Sequence, residues 1–143
     1  TAKAAILAAK DPNAAAICSH IAAKLYGIPT MFENIEDEHV VDEVLSYFGR
    51  KVNAVICDLS PQVSGNWSVD HAKQISLNYD CTKIMEKVLA HKGNAVFKIF
   101  DGEFSMEFRD YIKKKFSRIN LTKPDASRKQ SSELNCVCMG FTG

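Results

Sequence analysis

No stretch of this 143-residue chain approaches the roughly 18 consecutive apolar residues that a membrane-spanning helix needs, and a hydrophobic share of 46% is that of an ordinary globular protein. No charged stretch followed by an apolar region and a small-residue cleavage site opens the chain, so no secretory signal is expected. No Gly-x-Gly-x-x-Gly follows an apolar run, which argues against a dinucleotide-linked oxidoreductase. The five cysteines contain no Cys-x-x-Cys pair and the four histidines are scattered, so no metal site is expected. Those thiols read instead as buried, reduced groups of a cytoplasmic protein. Repeats and low-complexity linkers are missing too, and the length suits one domain over residues 1–143 that is monomeric and bears no membrane segment.

The formal net charge of +1 hides an asymmetry. Glu33, Glu36, Asp37, Glu38, Asp42 and Glu43 make one stretch acidic, while Lys113, Lys114, Lys115, Arg118, Lys123, Arg128 and Lys129 make a later one basic. The basic stretch is either a solvated helix face or a set of phosphate contacts for a polyanion such as RNA, and its closeness to Glu133 favours the second reading more than a lysine run alone would.

The pattern alternates as in an α/β domain. Val40, Val41, Val44, Leu45 and Phe48 recur at helical spacing, and Gly49 closes that helix. The apolar run from Lys51 to Leu59 predicts a strand buried on both faces, residues 60–70 a loop, and residues 71–91 a long helix stopped by Lys92-Gly93-Asn94. Ala95 to Phe100 predicts a second buried strand. Phe104, Phe108, Ile112 and Phe116 mark an amphipathic helix whose last turns carry the start of the lysine run. Arg118 to Thr122 and Leu134 to Met139 predict two strands paired antiparallel. The fold expected is a three-layer α/β sandwich with a mostly parallel sheet and an antiparallel C-terminal edge. Residues 1–26 are crowded with alanine and predict only a weakly helical or irregular segment.

Three charged residues interrupt these apolar strands: Asp58, Lys98 and Glu133. Each has an ordinary explanation alone, as a turn carboxylate, a lysine whose stem packs while its head reaches water, and an exposed residue at a strand start. Together they point elsewhere. In open α/β sheets ligands bind beyond the carboxyl ends of the strands, and an antiparallel strand begins at that same edge, so all three are expected to meet in one crevice. A lone buried charge costs several kcal/mol, and these three are one another's natural partners.

The segments that carry them, Cys57-Asp58-Leu59-Ser60-Pro61-Gln62-Val63-Ser64-Gly65, Val96-Phe97-Lys98-Ile99-Phe100-Asp101-Gly102, and Lys123-Pro124-Asp125-Ala126-Ser127-Arg128 leading to Ser132-Glu133, resemble the FtsJ/RrmJ family of S-adenosylmethionine-dependent RNA ribose 2′-O-methyltransferases over about residues 27–140. The resemblance implies a Rossmann-like, class I methyltransferase fold. It also implies S-adenosylmethionine as cofactor, and RNA as substrate, with ribosomal RNA or a ribosomal particle favoured over transfer RNA. It assigns Asp58, Lys98 and Glu133 to the second, third and fourth places of the family's Lys-Asp-Lys-Glu tetrad. In that setting Lys98 is a candidate base for the ribose hydroxyl or the group that fixes its oxygen. Gly27 to Asp37 is similar to the family's strand and turn around the adenine, with Asn34 where an Asp is usual, and Asp58 is implied to lie near the cofactor as well. Nothing in residues 1–27 matches the family's Gly-rich loop or first lysine, so the N-terminal part reads as incomplete, divergent or of uncertain identity. That gap keeps a second function open, a non-catalytic RNA-binding or ribosome-assembly module on the same fold.

Overall fold

The computed structural model describes residues 10, 15–17, 24–25, 39–123 and 132–143. Its elements are β1 (Ala15–Ile17), α1 (His39–Phe48), β2 (Val52–Cys57), α2 (Trp67–Val88), β3 (Leu89–Phe100), α3 (Ser105–Lys113), β4 (Phe116–Thr122) and β5 (Glu133–Phe141). The strands form one five-stranded sheet in the order β1-β2-β3-β5-β4. β1, β2 and β3 pair in parallel, and β5 pairs antiparallel with both β3 and β4. All strands but β5 therefore point the same way, as the alternating pattern requires. β1 is a departure from the sequence reading: where an irregular or helical segment is expected, three residues extend the sheet beside β2, in register Ala15↔Val55 to Ile17↔Cys57.

The alternation of β3 sorts its side chains between two faces. Phe97 meets Phe108 of α3 edge-on, and Tyr79 of α2 packs against Phe108 and Tyr111, so α2 and α3 share the Phe97 face. Helix α1 packs against α2 to continue that layer. The core between layers is built from Val55, Cys57, Ala95, Phe97, Ile99, Cys136 and Cys138 of the sheet with Ile75, Cys81, Met85, Val88 and Ile112 of the helices. Cys57, Cys81, Cys136 and Cys138 are all buried free thiols, while Cys18 lies outside the described residues. No helix among the described residues is long and apolar enough to cross a membrane.

Helix α2 begins a full turn before the predicted start, at Trp67 rather than residue 71, with Asn66 as its cap. The reason is its composition: up to residue 78 the buried positions are Asp70, His71, Gln74, Ile75 and Asn78, four of the five polar, so they give no apolar periodicity. Asp70 ties down the loop before the helix, its Oδ1 accepting from the Ser64 amide at 2.8 Å and from the Ser64 hydroxyl at 2.7 Å. Those two donors hold the Asp70 carboxyl below the ordinary carboxylate range. The predicted stop at Lys92-Gly93-Asn94 is instead a bulge inside β3. The register jumps from Val52↔Leu89 to Ala54↔Asn94, with Lys92 at φ 64°. Glycine is needed at 93, since a Cβ there would stand 2.8 Å from the Ala90 carbonyl oxygen. β2 ends at Cys57, short of the predicted Leu59, and so leaves Asp58 just past the strand.

Candidate active site

Register brings the charged residues together. Cys57↔Phe97 is the last parallel pair of β2 and β3, so one further step sets Asp58 beside Lys98. The Lys98 Nζ lies 2.5 Å from Asp58 Oδ1 and donates to the Asp58 backbone oxygen at 3.3 Å. Lys98 is 5% exposed and Asp58 8%, so this is a buried ion pair and the lysine head does not reach out to water. On the other side of β3 the antiparallel register sets Asn135 opposite Lys98 and Glu133 opposite Phe100, which by alternation puts Glu133 on the Lys98 face, one step along the diagonal. Burial pulls the Lys98 amine below its usual pKa, and the negative charge of Glu133 opposes that pull in part.

The backbone under Lys98 is anchored from the helical layer. Gln74 Nε2 and Asn78 Nδ2 both donate to the Lys98 carbonyl, the latter at 2.9 Å, and Gln74 Oε1 accepts from the Phe100 amide at 3.2 Å. These two α2 side chains are fully buried and were not singled out from sequence, although they stand one helical turn apart on one face. They hold the strand that carries the amine.

The basic residues divide. Lys113 ends α3, and Lys114 and Lys115 lie in the turn that follows. Lys115 pairs with Glu86 of α2 and stands 4.6 Å over the Tyr111 ring, and the Glu86 partnership raises its pKa, so its charge is engaged in joining α2 to α3. Lys113 and Arg118 line an open groove of about 460 Å³ between α3 and β4 with Met106, Arg109, Asp110, Ser117, Ile119 and Leu121. Arg109 is a further cation of that groove, and its signal was available: it sits four positions before Lys113 on the same helix face. The groove is separate from the Asp58–Lys98 pair. Lys123 follows β4 next to the Thr122↔Asn135 pair, at the sheet edge where β5 starts. Asn34, Arg128 and Lys129 lie outside the described residues, as does the whole Gly27 to Asp37 segment.

A sheet with one reversed strand, an ion pair at the carboxyl ends of its central strands and a helical layer beneath is the Rossmann-like architecture of the methyltransferase class. The model of the family described as FtsJ-like methyltransferase matches residues 12–141, and the chain belongs to that family. It is 84% identical over 110 residues, 77% of this chain, to the ribosomal RNA large subunit methyltransferase E of Nitrosopumilus maritimus, and 59% identical over 122 residues, 85% of this chain, to the protein of the same name in Cenarchaeum symbiosum. The chain spans 56% and 62% of the lengths of those two relatives. Among solved structures it resembles a ribosomal RNA methyltransferase from Plasmodium falciparum, with a TM-score of 0.63 and 25% identity over 78% of this chain and 58% of that one.

Proposed function

We propose that this chain is the catalytic part of an enzyme that transfers a methyl group from S-adenosylmethionine to a ribose 2′-hydroxyl of ribosomal RNA. The observation that carries the reading is the buried Lys98–Asp58 pair at the carboxyl edge, with Glu133 beside it on the same face. Similarity to proteins named ribosomal RNA large subunit methyltransferase E supports the substrate. The reading keeps a cytoplasmic, monomeric protein as its setting.

The donor set suits the cofactor. Two carboxylates, Asp58 and Glu133, would favour a cationic sulfonium beside them, Asn34 is assigned to the adenine, and Asp58 is expected near the cofactor as well. When bound, S-adenosylmethionine supplies an electrophilic methyl group.

The rest of the chemistry falls to this chain. A ribose hydroxyl is a weak acid and a weak nucleophile, so it has to be placed in line and relieved of its proton. An ammonium offers three N–H donors, and Asp58 accepts two of those of Lys98 through Oδ1 and the backbone oxygen. The proposal assigns the third to the ribose oxygen. Because burial weakens the hold of Lys98 on its proton, the same amine is poised to take the hydroxyl proton once it has given up its own. Gln74 and Asn78 keep it in place by gripping its backbone carbonyl. Arg109, Lys113 and Arg118 provide phosphate contacts along the groove, with Lys114, Lys123, Arg128 and Lys129 as further candidates and Lys115 as a structural lysine.

The test is methyl transfer from labelled S-adenosylmethionine to ribosomal RNA by the full-length protein. Lys98→Ala is expected to lower the rate about 10²- to 10⁴-fold. Retained activity in that variant removes Lys98 from the mechanism, and failure of the folded protein to bind S-adenosylmethionine in calorimetry supports a non-catalytic RNA-binding module instead.

A further inference from the structure

Beside the ion pair stands a group of stacked aromatic rings that the reaction as described does not use. The Trp67 indole lies nearly parallel to the His71 imidazole, with centroids 5.9 Å apart and planes 12° apart, and stacks on Phe100 at 5.8 Å and 30°. His71 in turn stacks on Phe104 at 5.6 Å and 16°. The rings come from the first turns of α2, the end of β3 and the residue before α3, all at the carboxyl edge of the sheet.

The stack is built rather than incidental. The Phe104 amide donates to His71 Nε2 at 3.1 Å, which fixes the imidazole plane, and Nδ1 of the same buried ring is without a hydrogen-bond partner among the described residues. Gly102 is the close neighbour that lets the ring sit there, since a Cβ at that position would stand 2.8 Å from His71 Nε2. A single exposed aromatic on a protein surface is ordinary. Here Trp67 remains 50% exposed while the His71 it stacks on is 2% exposed and held in plane, so about half of the indole is open to solvent and its orientation is fixed. Its position is tied to the ion pair: Gln74 bonds both the Phe100 amide and the Lys98 carbonyl.

We propose that Trp67 is a stacking platform for an RNA base adjoining the ribose presented to Lys98. The proposal rests on the methyl-transfer reading and adds a positioning residue to it. A nucleobase offers a flat π face of matching size, and stacking of this kind tolerates any base. The charge around the platform suits the same occupant. The groove of Arg109, Lys113 and Arg118 takes in Met106 on the first turn of α3, the helix that Phe104 precedes, so the helix that starts at the stack also carries cations suited to phosphates.

The chain's single tryptophan is its own reporter. Titration of the full-length protein with a short single-stranded oligoribonucleotide is expected to quench a fluorescence component that is missing in Trp67→Phe. An abasic oligonucleotide of equal charge is expected to leave that component unquenched. In Trp67→Ala the KM for RNA should rise about tenfold to hundredfold with kcat changed far less, S-adenosylmethionine affinity and circular dichroism should stay as in the wild type, and Trp67→Phe should recover most of the loss. RNA binding and methylation that are indifferent to Trp67→Ala, or equal quenching by the abasic strand, overturn the platform and leave the methyl-transfer reading intact. Loss of both RNA and S-adenosylmethionine binding in the wild-type protein overturns the two together.

Discussion

Asp58 and Lys98 invite a double-mutant cycle, because their direct contact predicts both the size and the sign of the coupling. Asp58→Asn keeps the shape of the side chain but removes the charge 2.5 Å from the Lys98 amine, leaving the ammonium buried with the Asp58-position carbonyl and the more distant Glu133. Removing one partner of a buried pair costs about 3–5 kcal/mol, and since the Asp58 side chain is 11% exposed the lower end applies, about 3 kcal/mol. Lys98→Met fills the same stem volume without a charge but takes the cation from a carboxylate that is itself largely buried, for a similar cost of about 3 kcal/mol. The double variant should cost less than the sum by about 2 kcal/mol. Alkaline pH gives an independent check. The folded amine loses its proton more readily than the unfolded one, whose value is near 10.5, so below that pH there is a window in which the unfolded chain holds more protons and stability rises with pH. Asp58→Asn should move the start of that rise to lower pH, and Lys98→Met should abolish it. Urea unfolding of the full-length protein followed by circular dichroism, with unchanged m-values, measures all of this. Single costs that simply add to the double, within about 0.5 kcal/mol, would refute the claim that the pair is a buried, coupled unit.

Two further outcomes follow from single contacts. The Asp70 carboxyl has its pKa lowered by the Ser64 donors, so its contribution is present above the ordinary value of 3.8 and is lost as pH falls through the folded value; Asp70→Asn should flatten the acid limb of the stability profile, and an unchanged limb in unfolding curves between about pH 2 and pH 6 refutes this. Gly102→Ala drives a methyl group into the His71 ring, 2.8 Å from Nε2, and should cost about 1–3 kcal/mol in thermal unfolding; introduced on top of His71→Ala it should cost under about 0.5 kcal/mol, and an equal cost in both backgrounds would place the strain elsewhere.

Which parts of this were legible in the sequence depends on what kind of signal each carried. β2 and β3 were readable as near-continuous apolar runs, α3 because apolar residues near a period of 3.6 match its buried Phe108 and Ile112, and the antiparallel β4–β5 pair because two short strand-like runs flank a Pro-containing loop. The start of α2 was hidden by its polar buried face, where Gln74 and Asn78 serve the Lys98 carbonyl in place of apolar contacts. The bulge at Lys92 and Gly93 reads as a turn because the same residue types make both, and only strand pairing tells them apart. Of the candidate site, the meeting of Asp58 and Lys98 was legible because charges inside apolar strands are rare, whereas Arg109, four positions before Lys113 on one helix face, gave only a weak signal until β4 folded against it.

The placement of Glu133 does not depend on charge at all. β5 runs against β3, and Cys136 and Cys138, both fully buried, sit in register with Phe97 and Ala95 on the helical face of the sheet. A slip of one residue would turn those thiols out of the core and carry Glu133 and Asn135 to the opposite face from Lys98. The apolar pairs on one face therefore pin the polar residues on the other, and the same holds at Cys57↔Phe97, whose burial fixes the neighbouring step at which Asp58 meets Lys98. Two independent core registers, one parallel and one antiparallel, converge on a single amine. A carboxylate held by this means needs no loop to order around it, which suits the proposed reaction, where a hydroxyl and a proton would have to be held in fixed positions.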